Sequence, residues 1–243
     1  EGTEPYIVGG HTASGYWIDN DRKTTITGLY AAGDVAGGCP QKYVTGALAE
    51  GEIAAEAILE YLNGKDDDRI AAENKEEALE RGGEQELSQT AIAKKAEYES
   101  HLSASRSLMN AEQLEEAMQK IMDQYAGGIA TDYRYNESRL ALAKEKITSL
   151  QKLVDGLAAE DMDDLLRIYE VKERLVVCQV VIAHLLARKE TRWHSFAENA
   201  DYPEKNADWE KYVNSRMKDG EIEIIFRELV TGGKVYECTD FTE

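Results

Sequence analysis

Cysteine, basic residues and long apolar runs are all scarce in this 243-residue chain, and each scarcity excludes a class of protein. The three cysteines, Cys39, Cys178 and Cys238, stand far apart with no CxxC pair, which excludes a disulfide scaffold and a thiolate-held iron–sulfur cluster. Lys and Arg number 28 against 47 Asp and Glu, a formal charge of −19, so neither nucleic acid nor an anionic membrane is an expected partner. No apolar run approaches the ~20 residues that cross a bilayer, and nothing at the start resembles a signal peptide. The expectation is a soluble, cytoplasmic chain. The G-x-G-x-x-G fingerprint of a dinucleotide pyrophosphate cradle occurs nowhere, and no metal site is expected.

What is present centres on residues 25–62. Residues 26–32 are apolar and tightly bounded, which predicts a buried strand. Gly33 and Asp34 follow at once, a chain reversal with a carboxylate at the strand's end. From Thr45 the period changes to 3.6, with Leu48, Ile53, Ala54, Ala57, Ile58, Tyr61 and Leu62 on one side of a helix that Asn63-Gly64 ends. A strand end and a helix start joined by a glycine-rich loop form the usual seat of a polar cofactor in an α/β sheet. Cys39 lies in that loop; Cys178, on an apolar helical face, reads as a buried thiol.

Before this stretch, Tyr6-Ile7-Val8 and Tyr16-Trp17-Ile18-Asp19 are strand-like, with Gly9-Gly10-His11 between them and a turn at Asn20-Asp21. After it, residues 63–97 are polar all round and predict a charged linker and solvated helix. The stripes Leu114, Met118, Ile121, Tyr125, then Leu140, Ala143, Ile147, Leu150, Val154, Leu157, then Ile168, Val171, Leu175, Cys178, Ile182, Leu185 predict three helices. Gly127-Gly128 and Asp155-Gly156 mark their ends, and Leu150, Val154, Val171, Leu175 and Ile182 are the expected core. Near the C-terminus, Ile222, Ile224, Ile225 and Phe226 and then Val235-Tyr236-Glu237-Cys238 predict two strands around Gly232-Gly233.

Leu29-Tyr30-Ala31-Ala32-Gly33-Asp34 resembles the second FAD-contacting motif of the succinate dehydrogenase, fumarate reductase and adenylylsulfate reductase flavoproteins. In that family the acid after the glycine holds ribityl or ribose hydroxyls, and Thr45-Gly46-Ala47-Leu48 falls where a helix N-terminus meets the pyrimidine edge of the flavin. Glu4-Pro5-Tyr6-Ile7-Val8-Gly9-Gly10-His11 resembles the adenylylsulfate reductase segment that carries a substrate-contacting histidine. The dicarboxylate enzymes' His-Gly-x-Asn-Arg-Leu-Gly-Gly signature is absent, and Cys39-Pro40-Gln41-Lys42-Tyr43 stands in its place. Glu190-Thr191-Arg192-Trp193, followed by Asp201-Tyr202-Pro203, is similar to the close of the family's helical domain. The bland reading of these last residues is an ion pair of Glu190 or Arg192 with the neighbouring domain. Arg192 and His194 remain candidates for the active-site entrance.

The resemblance covers nearly the whole chain but corresponds to the C-terminal part of a family member, without the N-terminal dinucleotide-binding and capping segments. It implies an α+β chain: a partial FAD-binding α/β segment (1–62), a linker (63–97), a three-helix bundle domain (98–200) and a small β-hairpin extension (201–243). It further implies an FAD-dependent oxidoreductase with His11 catalytic, Gly33, Asp34, Thr45, Gly46, Ala47 and Leu48 on the cofactor, a small anionic substrate and an iron–sulfur beta subunit as partner. FAD is expected in the full-length protein and weakly or not at all on this chain. A fumarate reductase or succinate dehydrogenase type of enzyme is the alternative, and a non-catalytic helical interaction module with a relic flavin motif is the alternative of another class.

Overall fold

The computed structural model describes residues 15–37, 44–64, 83–104, 108–192 and 197–229. The chain divides into two compact units, residues 1–80 with 229–243, and residues 81–228. Its described elements are a mixture of helices and two small two-stranded sheets, an α+β composition.

In the first unit the chain makes two isolated bridges, Tyr16 with Ala36 in parallel and Lys23 with Tyr30 antiparallel. The strand expected over residues 26–32 does not form. Residues 25–28 bend and turn, the Ile26 N–H donates to the Thr24 hydroxyl at 3.1 Å, and Leu29 N–H donates to Ile26 O at 3.1 Å. A hydroxyl that accepts from the backbone two residues on competes with ladder pairing, and Gly28 at φ 76° supplies the left-handed conformation that completes the turn. Ile26 and Leu29 are consequently 42% and 50% exposed. The expected turn at Asn20-Asp21 is present, and Asp19 Oδ1 accepts from the N–H groups of Asp21 and Lys23.

Helix α1 spans Val44–Asn63 and buries Glu50, Ala54 and Ala57. Leu48 and Leu62, expected on its buried side, are 69% and 51% exposed. The described apolar cluster of this unit consists of Ile18, Ala31 and Ala36, too small a surface to cover a five-turn stripe.

The second unit contains α2 (Gly83–Ser103), α3 (Ala111–Tyr125), α4 (Glu137–Val154) and α5 (Met162–Ala187). Three of the N-termini are held by side chains, as the orphan N–H groups of a first turn require. Asn110 and Gln113 form a reciprocal capping box on α3, Asn136 accepts from Arg139 N–H on α4, and Asp161 accepts from Asp163 and Asp164 N–H on α5. Helices α3, α4 and α5 share one core, in which Leu114, Leu140, Ile147, Leu157, Ile168, Leu175 and Ile182 are fully buried. Each such side chain contributes roughly 1.5–3 kcal/mol of burial. Of the five residues expected there, Leu150 is only partly buried and the other four are buried. Helix α2 crosses residue 97 without a break, and the linker residues 65–82 lie outside the described residues.

Strands β1 (Arg134–Tyr135) and β2 (Glu198–Asn199) pair in parallel, and β3 (Lys211–Lys218) and β4 (Glu221–Glu228) form an antiparallel hairpin. This hairpin lies upstream of the expected one. The strand through Ile222 and Phe226 pairs with the preceding residues 211–218, around Asp219-Gly220, both at positive φ. An Asp-Gly pair is the residue choice for the tight primed turns whose twist suits a hairpin. Residues 231–238, the expected partner, lie outside the described residues. His184 of α5 meets the Ser215 hydroxyl of β3 at 2.9 Å and ties the hairpin to the helix.

Candidate functional site

Residues Gly33–Val35 form one 3-10 turn that opens with Gly33 at φ 70°. A Cβ at Gly33 would stand 3.2 Å from Ala47 Cβ, so the turn packs directly on the first turn of α1. Asp34 is exposed at that turn, Thr45 and Leu48 are exposed on the helix, and Gly46 and Ala47 are half-buried between them. The structure thus brings together the six residues expected to hold a cofactor. The first turn of α1 contains no acidic residue, and the N-terminal end of a helix carries partial positive charge. An exposed carboxylate that accepts from hydroxyls, beside a helix end that favours negative charge, suits a polyhydroxylated cofactor with an acceptor-rich ring. His11 and Cys39 lie outside the described residues, as do residues 40–43.

One pair in this region was missed in the sequence. Arg22 Nε and its NH2 group donate to Glu50 Oε2 and Oε1 at 2.5 and 2.9 Å, and Glu50 is buried. The available signal was Glu50 itself, which falls on the same helical face as Ala54 and Ala57. A carboxylate in an apolar stripe requires a cation, since an unpaired buried charge costs far more than the stripe returns.

The residues near position 190 are assembled within the second unit. Glu190, with its side chain fully buried, accepts from Arg188 NH1 at 2.5 Å, from Arg192 Nε and NH2 at 2.7 and 2.9 Å, and from Asn206 N–H at 3.0 Å. Burial pushes the Glu190 carboxyl up, but the bonds from Arg192, Asn206 and Arg188 outweigh it and hold the group below the usual carboxylate value. Its described partners are therefore the flanking arginines and a loop of the same unit. Asp201 Oδ2 accepts from Glu137 N–H at 2.8 Å and so satisfies the first turn of α4. Arg192 is engaged by Glu190, Asn206 O and Glu210; Trp193 and His194 lie outside the described residues. Cys178 packs against the helical core, and burial pushes its thiol up.

No protein-family model matches the chain. Among curated proteins, the adenylylsulfate reductase alpha subunit of Megalodesulfovibrio gigas is 28% identical over 88% of this chain and 35% of its own length. A solved adenylylsulfate reductase of Archaeoglobus fulgidus is 31% identical over 86% of this chain and 33% of its own, with a TM-score of 0.66. This chain is homologous to part of the adenylylsulfate reductase alpha flavoproteins. It spans about a third of the length of those relatives. An uncharacterised FAD-dependent oxidoreductase of Methanocaldococcus jannaschii is similar at 29% identity. Quinol fumarate reductase of E. coli, at 18% identity and a TM-score of 0.67 over 93% of this chain and 38% of its own, shows the same fold. Among the described residues, no helix of this adenylylsulfate reductase-like chain is long and apolar enough to cross a membrane, and no group of His, Cys, Asp and Glu could hold a metal ion.

Proposed function

We propose that this chain supplies part of the FAD site of an oxidoreductase that reduces adenylylsulfate to AMP and sulfite, or runs the reverse reaction. The observation that carries the proposal is the packing of the Gly33–Val35 turn on the first turn of α1, which sets an exposed carboxylate beside a helix N-terminus. Gly33 and Asp34 would hold hydroxyls of FAD, and the backbone of Thr45, Gly46, Ala47 and Leu48 would face the flavin. The bound flavin would supply two-electron transfer to or from the sulfur centre. The residues of this chain would bind, orient and charge-balance: Asp34 would accept hydrogen bonds from hydroxyls, and the α1 N-terminus would stabilise negative charge on the reduced ring system. His11 would position the anionic substrate or hold a proton for it. An iron–sulfur beta subunit is the proposed electron partner and the cytoplasm the proposed location. The three-helix bundle, the linker and the hairpin extension are proposed to be structural.

A fumarate reductase-type activity is the second reading, and the shared fold favours it. The higher identity to adenylylsulfate reductases, 31% against 18%, favours the first. The test is an assay of the full-length flavoprotein with adenylylsulfate, with AMP plus sulfite, and with fumarate. Turnover of the first two supports the proposal, and turnover of fumarate alone transfers the site to the second reading. A full-length protein without flavin and without turnover would leave the interaction-module reading.

A further inference from the structure

We infer that Arg22 and Glu50 are positioning residues for the cofactor site, a single ion-pair strut that sets the Asp34 turn against the N-terminus of α1. The inference rests on the flavin reading above and deepens it.

Arg22 is bonded through both its backbone and its side chain, its own N–H donating to Asp19 O at 3.1 Å. Its backbone carbonyl accepts from Ala31 N–H at 3.0 Å, two residues before Gly33. Its NH1 group donates to Asn20 O at 2.5 Å and so braces its own turn, where Arg22 occupies the left-handed region at φ 67°. Its remaining donors, Nε and NH2, take both carboxylate oxygens of Glu50. Glu50 stands five residues beyond Thr45, about 7.5 Å along the helix axis. One side chain therefore joins the segment leading into Gly33 and Asp34 to the helix whose first turn carries Thr45 to Leu48.

A bidentate fork constrains orientation as well as distance, which a single point charge does not. The pair is also well shielded, with side-chain exposures of 17% for Arg22 and 6% for Glu50, so solvent does little to loosen it. A non-glycine residue held at positive φ is an uncommon conformation, and it persists where surrounding contacts over-determine it. Net stability is a poor reason for such a pair, because apolar residues of similar volume do as well or better. Geometry is the better reason: the two halves of the proposed site lie on the two elements that the pair connects, and a binding site loses affinity when its parts are less well preorganised.

The test uses the full-length protein and two variants, Arg22→Lys, which keeps the charge but loses the fork, and Arg22→Met with Glu50→Leu, which removes both charges and leaves neither unpaired. FAD titration by flavin fluorescence gives Kd, the visible circular dichroism of the bound flavin reports its orientation, and thermal unfolding of the apoprotein reports the fold. The expected result is an FAD Kd raised about 10-fold or more in both variants, with an altered flavin dichroism and a near-unchanged apoprotein midpoint, as preorganisation losses act on affinity. Wild-type affinity and dichroism in both variants would overturn the inference and leave the flavin reading intact. Loss of FAD in step with a collapse of the apoprotein midpoint in both variants would overturn it too, since the pair would then be a stability element. A wild-type protein that binds no FAD would sink both the inference and the reading beneath it.

Discussion

Leu175 is fully buried on α5 in the core that α3, α4 and α5 share, and nothing polar is asked of it. Leu175→Ala should cost about 2–5 kcal/mol, the sum of the lost transfer energy and a cavity that rigid neighbours cannot close. Urea unfolding measures it, and an unchanged midpoint would remove Leu175 from the core. At the proposed site the expectations for two residues diverge. In the intact flavoprotein, His11→Ala should lower kcat/KM roughly 100-fold or more with the flavin retained, the scale of a lost positioned acid or charge-stabilising donor. Asp34→Ala should lose FAD first and activity only as a consequence, because its proposed partners are cofactor hydroxyls and not the reacting atoms. Flavin content and steady-state kinetics of the two variants separate these outcomes, and normal turnover in His11→Ala would make the histidine structural.

Among the described residues, side chains in the C-terminal half of α2 attach it to the rest of its unit. Glu97 bonds Lys172 of α5 and, at 2.9 Å, Lys94; Tyr98 meets Tyr169 edge-on with centroids 5.0 Å apart; and buried His101 donates through Nδ1 to Leu157 O at 2.7 Å. The bond from Lys172 and then that from Lys94 hold the Glu97 carboxyl down at about 2, below its ordinary 4.5. The sign of the consequence follows from proton counting. Between those two values the unfolded chain binds the proton and the folded chain does not, so the contribution is full above pH 4.5 and fades as pH falls toward 2. Glu190, also held below its usual value, adds a dependence of the same sign. Glu97→Gln should therefore flatten the fall of the thermal midpoint across that acid window, and a slope equal to wild type would show that Glu97 is uncharged or unpaired in solution.

As a whole molecule, the chain spans about a third of the relatives it matches, and the first unit leaves Tyr16, Ile26, Leu29, Val44 and Leu48 exposed. Without the pyrophosphate fingerprint and the other wall of a flavin pocket, this chain by itself should purify colourless. Flavin absorbance after desalting checks it, and a yellow preparation with stoichiometric FAD would show that this chain suffices.

Helix periodicity was legible in the linear sequence, because the stripes of α3, α4 and α5 need only a facing surface; the caps Asn110, Asn136 and Asp161 came from the structure. The glycine–aspartate turn and the helix after it were legible for the same local reason, and the family resemblance came from the residues of that stretch. Asp219-Gly220 is a turn pair of the same local kind. Tertiary structure alone decided the rest. Apolar content over residues 26–32 says nothing about whether a partner strand is there, and a hydroxyl and a glycine turned that stretch into an exposed bend. Partners far apart in the chain, Arg22 with Glu50 and Glu190 with Asn206, are set by how elements pack. The sequence by itself determined the helices, their ends and the kinship of the chain; only the packed structure decided which charges are buried, what neutralises them, and that Gly33 and Asp34 rest against the first turn of α1, because these depend on distances in space that residue spacing does not contain.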